Sequence, residues 1–136
     1  MRWVAISTVV LVVTAAAGPA TRSVWDGVYS KEQAARGKSS YNSRCARCHG
    51  EALLGGEGSP PLVDQDFLEK WNGKPLGALA ELTFKTMPSD GPGKLSRQQV
   101  SDILSYILSA NGFPAGSNAL GTDVSALNEI IIQPKK

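Results

Sequence analysis

Residues 45–49 read Cys45-Ala46-Arg47-Cys48-His49, and no other segment narrows so far what this chain can become. They hold both cysteines of the chain and its only histidine. Two thiols three positions apart, with an imidazole directly after the second, form the pattern that attaches a c-type haem. Each thiol adds to one vinyl group of the porphyrin. The neighbouring histidine is left beside the ring, where one of its nitrogens can donate to the iron. A chain with this pentapeptide is expected to fold around a macrocycle. Three other uses of the same residues fit less well. Structural zinc asks for four Cys or His donors, and only three are present. A thioredoxin-like redox pair belongs in a βαβ setting that the surrounding sequence does not offer. A Cys45–Cys48 disulfide has poor geometry at this spacing and leaves His49 without a purpose.

The flanking sequence reads as helix interrupted by clear stops. Ser30-Lys31-Glu32-Gln33 predicts a capping box, in which serine and glutamine side chains each take an orphan backbone N–H. It opens a helix through Ala34, Ala35 and Tyr41 towards Cys45. Gly50 to Gly58 is a glycine-rich loop ending at Pro60-Pro61-Leu62. Asp66 is positioned to cap a short helix, Phe67 to Trp71, closed by Asn72-Gly73. Pro75 suits a first helical position ahead of Leu76 to Lys85, and Met87-Pro88 ends that helix. Ser89 to Gly93 reads as an irregular loop. A second capping box, Ser96-Arg97-Gln98-Gln99, precedes Val100, Ile103, Leu104, Ile107 and Leu108. Their i, i+3, i+4, i+7, i+8 spacing makes one apolar face, and Asn111-Gly112 stops the helix. No run alternates as a strand does, and nothing repeats internally. The expected class is all-α, with about four helices around the cofactor.

Haem iron has two axial positions, and His49 fills one. Apart from the initiator, Met87 is the only methionine, and no second histidine competes with it. A thioether is a soft, neutral donor that favours ferrous iron and raises the reduction potential. Met87 lies in Thr86-Met87-Pro88, between a helix and a Pro/Gly-rich loop, where a side chain can reach across a haem face. By elimination it is the expected sixth ligand. The bland alternative is a core gap-filler.

The start of the chain points outwards. Met1-Arg2 is a minimal charged region, Val4 to Ala17 carries no charge, and small residues follow up to Ala20. Residues 1–20 are therefore expected to be a cleaved signal peptide. The apolar stretch is short beside the roughly 20 residues of a membrane span, so an uncleaved anchor is the alternative. Residues 21–114 would then be one domain and 115–136 a C-terminal extension. Losing Arg2 takes the formal charge from +2 to +1, and the longest basic run is Lys135-Lys136. That balance does not mark a nucleic-acid binder, and a membrane enters only if the first segment stays on.

Cys45-Ala46-Arg47-Cys48-His49, Pro60-Pro61-Leu62 and Thr86-Met87-Pro88, bracketed by N- and C-terminal helices, together resemble a small bacterial class I cytochrome c. The likeness covers about Trp25 to Pro114. It implies the class I cytochrome c fold around one covalent haem c, attached outside the cytoplasmic membrane. It implies a crossing of the terminal helices through a glycine and aromatic contact, here Gly37 and Tyr41 against Ile103 and Tyr106. A proline carbonyl, of Pro60 or Pro61, would fix the proximal imidazole. Trp71 would turn its indole N–H to a haem propionate, while Trp25 and Tyr29 would only pack. The chain departs from the mitochondrial type in a short segment between His49 and Met87 and in its tail. Ile130-Ile131-Ile132 in that tail is expected to dock on the domain or on a partner. Val24 to Tyr29, Asn111 to Pro114 and the tail are similar to cytochromes that serve, or are fused to, periplasmic quinoprotein dehydrogenases.

These expectations meet in one function. With both axial positions filled there is no open site for a substrate, and no catalytic constellation of side chains is visible. The chain is expected to be a periplasmic electron carrier, free or as the cytochrome subunit of an oxidoreductase complex. Its partners would be redox proteins, a dehydrogenase donor and a terminal acceptor, met in small transient encounters. The alternative is a haem enzyme or a gas or redox sensor, with Met87 off the iron and the sixth position open.

Overall fold

Ser30 begins the first helix, its hydroxyl accepting the Gln33 N–H at 3.2 Å, and α1 runs Lys31–Arg44. The coordinates are a computed structural model that describes residues 21–134; the expected signal peptide, residues 1–20, lies outside them. The second half of the expected capping box at Ser30 is not formed. Gln33 is fully buried, and its amide turns inwards to donate to Ser101 Oγ at 3.1 Å and the Leu120 carbonyl at 3.0 Å. Its oxygen accepts the Leu120 N–H at 2.6 Å. A buried amide must find all its partners in the interior, so the tertiary contacts outcompete the exposed cap.

The motif follows at once as a single turn, α2, Ala46–His49. After the glycine-rich loop, α3 spans Asp64–Trp71. It starts before Asp66, which lies in the first turn beside Asp64 rather than at the cap. Carboxylates there suit the positive end of the helix. The N–H of Asp64 is taken instead by the Asn111 side-chain oxygen at 3.1 Å, a cap supplied from far along the chain. α4 runs Leu76–Thr86 with Pro75 at its N-cap, and the Met87–Pro88 peptide after it is cis. α5, Arg97–Ala110, opens on a complete capping box between Ser96 and Gln99. A last short turn, α6, covers Val124–Leu127.

The elements are mostly helical, as the expected class I cytochrome c fold requires. One departure from an all-α reading is a parallel pair of two-residue strands, β1, Arg22–Ser23, and β2, Ile130–Ile131. Strands of that length are too short for alternation to announce them. They knit the start of the described chain to its tail. The core lies where α1 and α5 cross. A Cβ at Gly37 would stand 1.8 Å from the Asp102 carbonyl oxygen, so only glycine allows this approach. The Tyr41 and Tyr106 rings meet beside it, 5.3 Å between centroids. The tail docks on the domain: Leu120, Leu127, Ile130 and Ile132 are all buried. Among the described residues, no helix is long and apolar enough to cross a membrane.

Candidate haem site

One helical turn arranges the attachment motif. The N–H groups of Cys48 and His49 both donate to the Cys45 carbonyl, at 3.1 and 2.9 Å. Residues i, i+3 and i+4 of a helix share a face, so Cys45, Cys48 and His49 turn to the same side. All three line one cleft. Both thiols are free, Cys45 half-buried and Cys48 exposed. Burial pushes the Cys45 thiol up to about 11, so in the bare chain it stays protonated.

His49 is buried, and its Nδ1 lies 2.9 Å from the Pro60 carbonyl oxygen. A carbonyl only accepts, so Nδ1 carries the proton and donates. That leaves Nε2 as the lone-pair nitrogen, and it has no hydrogen-bond partner among the described residues. The carbonyl belongs to Pro60; the neighbouring Pro61 lines the cleft without that contact. A tight loop holds Pro60 there. Gly55 donates to the His49 carbonyl at 2.9 Å, and at its φ of 80° a Cβ would lie 2.6 Å from the Ser59 carbonyl oxygen. On the other side the Tyr41 hydroxyl donates to the Gly50 carbonyl at 2.7 Å, pinning the end of the turn.

Met87 lines the same cleft as His49, held at the end of α4 by its N–H on the Thr83 carbonyl at 3.0 Å. Leu79, Ile103 and Ile107 make the wall apolar. Trp71 is buried on the wall, with the ammonium groups of Lys70 and Lys74 at 6.0 and 5.4 Å from its ring centroid. Its indole N–H makes no hydrogen bond to protein among the described residues, and its nitrogen is not sealed from solvent. An apolar cleft walled by two thiols, an imidazole with a free nitrogen and a thioether fits a covalently attached haem. Cys45 and Cys48 would hold it, with His49 and Met87 towards its iron.

The sequence reading passed over two contributors. Tyr41 was expected only at the helix crossing, yet it also anchors the motif through Gly50. Arg47, the spacer residue between the cysteines, pairs with Asp90 of the loop after Met87. Nothing in the local sequence couples those two positions.

Comparison with known proteins agrees with a covalently bound haem c. Residues 32–107 match the family model described as cytochrome c oxidase, cbb3-type, subunit III. The CcoP subunit of the cbb3-type cytochrome c oxidase of Azospirillum sp. strain B510 is 27% identical over 110 residues, covering 70% of this chain and 36% of that protein. The FixP subunit of the same oxidase type in Sinorhizobium medicae strain WSM419 is 31% identical over 90 residues, covering 58% and 30%. The chain thus spans about a third of the length of these curated relatives. Among solved structures, the sulfane dehydrogenase SoxCD of Paracoccus pantotrophus superposes with a TM-score of 0.50 at 19% identity, over 89% of this chain and 68% of that one. At that identity the likeness is one of fold.

Proposed function

This chain belongs to the cytochrome c oxidase, cbb3-type, subunit III family, and from that premise we propose that it carries single electrons in the periplasm through a haem c ligated by His49 and Met87. A covalently bound haem c and electron transfer come with the family. When bound, the group supplies an iron that alternates between Fe(II) and Fe(III). Cys45 and Cys48 fix it to the chain by thioethers. His49 offers Nε2 because Pro60 holds the proton on Nδ1. Met87 supplies a neutral thioether that favours the ferrous state, and Leu79, Ile103 and Ile107 keep water and counter-charge away. The observation that supports the ligand pair most is that Met87 and His49 line one cleft. Trp71 and its indole N–H are assigned to a propionate.

The partners we infer are redox proteins. Leu82 stands exposed at the cleft, and Arg44, Arg47 and Lys70 give its rim a basic character, which suits a brief encounter with an acidic surface. The relatives' names, subunits of an oxidase, favour a terminal oxidase on the acceptor side, with this chain free or as that complex's cytochrome subunit. A dehydrogenase is the donor on this reading. The likeness to cytochromes of quinoprotein dehydrogenases rests on sequence segments alone. Residues 1–20 act as a cleaved signal peptide, residues 21–114 as the cytochrome domain and 115–136 as an extension.

One preparation tests this. The protein is made in a host with haem-attachment machinery and purified from the exported fraction. Mass spectrometry should find a start between Gly18 and Thr21 and the added mass of one haem. The dithionite-reduced spectrum should show sharp low-spin bands. Met87→Ala should turn the ferric form high-spin, lower its potential and admit cyanide, while the haem stays attached. Equal spin state and potential in parent and variant would take Met87 off the iron and favour an enzyme or sensor with an open position. An intact Met1 to Ala17 segment in the membrane fraction would make the protein an anchored cytochrome.

A further inference from the structure

We propose that Arg47 and Asp90 form a clasp across the mouth of the haem cleft and that Arg47 is a positioning residue for the sixth iron ligand. This rests on the reading of Met87 as that ligand. The two axial side chains come from different parts of the chain: His49 from the turn α2, Met87 from the end of α4. Whatever ties these two segments together at the mouth helps to decide how firmly Met87 is held over the ring. Arg47 sits two residues before His49 and Asp90 three residues after Met87. Both line the cleft, and the guanidinium of Arg47 pairs with the Asp90 carboxylate.

Apart from Leu95 buried in the core at its far end and Gly91 buried midway, the loop after Met87 has few bonds to hold it. From Pro88 to Leu95, among the described residues, it makes one internal backbone hydrogen bond, Gly91 N–H to the Pro88 carbonyl at 2.9 Å. Its one hydrogen bond to another segment is the bond from Arg47. Among the described residues the other three ion pairs lie elsewhere: Arg36–Asp102 joins α1 to α5, and Glu81 joins α4 to Arg97 and to Lys85 of its own helix. Of these four pairs, Arg47–Asp90 is the one that bridges the two ligand-bearing segments. Both partners are largely exposed, with side chains 75% and 59% accessible. The clasp is therefore modest in strength and sensitive to salt. It acts as a bias on the Met87 loop, open against closed, rather than as a fold-holding bond.

Imidazole titration of the ferric holoprotein measures that bias, since imidazole binds only when Met87 has left the iron. Arg47→Ala and Asp90→Asn should each raise imidazole affinity about two- to fivefold at low salt. The double variant should exceed neither single, and the reversed pair Arg47→Asp with Asp90→Arg should return towards the parent. High salt should bring the parent up to the single variants and leave them where they are. The thioether-to-iron absorption band of the ferric form should weaken in step. Single variants that match the parent, or effects that add in the double variant, would overturn the clasp. So would an effect of Arg47→Ala without one of Asp90→Asn, which would put Arg47 on a different partner. If the parent binds imidazole as tightly as Met87→Ala does, Met87 is not the ligand, and the clasp falls together with that reading. If the parent binds far more weakly than Met87→Ala while the Arg47 and Asp90 variants match it, only the clasp falls.

Discussion

His49 can serve an iron only if the proton on its ring sits on the nitrogen that points away, and the Pro60 carbonyl decides which one that is. A backbone carbonyl is a dependable choice, because it has no proton to offer and no second state to adopt. Its position depends on the loop between Gly50 and Pro60, and so on the residues that anchor each end. Tyr41 is one of them. Its hydroxyl donates to the Gly50 carbonyl at 2.7 Å while its ring packs on Tyr106. Tyr41→Phe keeps the ring and removes the donor, which should cost about 1 kcal/mol, read as an earlier urea midpoint of the ferric holoprotein. The low-spin spectrum should persist. Burial raises the pKa of Tyr41 above that of an ordinary phenol, with the nearby Tyr106 adding to it. An acid raised by folding contributes fully below its unfolded pKa and loses that contribution as the pH climbs past it. The parent's advantage over Tyr41→Phe should therefore be full below about pH 10 and shrink above it. A difference that is flat across that range would mean the hydroxyl does not stay neutral in the fold.

Between elements, the crossing of α1 and α5 carries the domain, and Gly37 sets its distance. A methyl group there would meet the carbonyl oxygen, carbonyl carbon and next nitrogen of Asp102–Ile103 at 1.8, 2.5 and 3.1 Å. These are backbone atoms and cannot swing aside, so Gly37→Ala must push two helices apart. About 3 kcal/mol of destabilisation is expected, measured by urea unfolding at constant haem content. A midpoint equal to the parent's would show that the helices are not so close. This element scale also explains what could be read from the sequence. The α1 and α5 starts and the apolar face of α5 were legible because Ser30, Ser96 and the spacing from Val100 to Leu108 act locally. The start of α3 and the role of Gln33 were not, because Asn111 and Leu120 supply the deciding hydrogen bonds from far along the chain. Cys45, Cys48 and His49 could be grouped from sequence because their spacing is itself a helical face. Two adjacent prolines look alike in one dimension, and only the path of the loop picks Pro60.

At the scale of the molecule, the family match stops at residue 107, yet the described chain continues to build its core beyond it. The tail wraps back along the domain. Gly116 donates to the Tyr29 carbonyl at 2.7 Å, Leu120 engages Gln33, and α6 packs on α4 so tightly that a Cβ at Gly77 would sit 2.1 Å from Asn128 Oδ1. Ile132 then exchanges backbone hydrogen bonds with Gly73 and Lys74, at 2.8 and 3.0 Å, just after Trp71 on the cleft wall. Deleting residues 117–136 should leave covalent haem in place, since Cys45, Cys48 and His49 are untouched. It would remove four buried aliphatic side chains, Leu120, Leu127, Ile130 and Ile132, each worth about 1.5–3 kcal/mol of burial before the entropy of ordering the tail is set against it. It would also take from the Gln33 amide both of its Leu120 partners, leaving it the hydrogen bond to Ser101 Oγ. The truncated protein should unfold at clearly lower urea, and Leu120→Ala alone should cost about 2–5 kcal/mol. Releasing the Asn72–Lys74 segment should also loosen the wall around Trp71. Water then gains access to the haem, which favours the ferric state, so the reduction potential should fall with the stability. A truncated chain that keeps both its urea midpoint and its potential would make the tail an ornament, and the domain would then need nothing beyond residue 116.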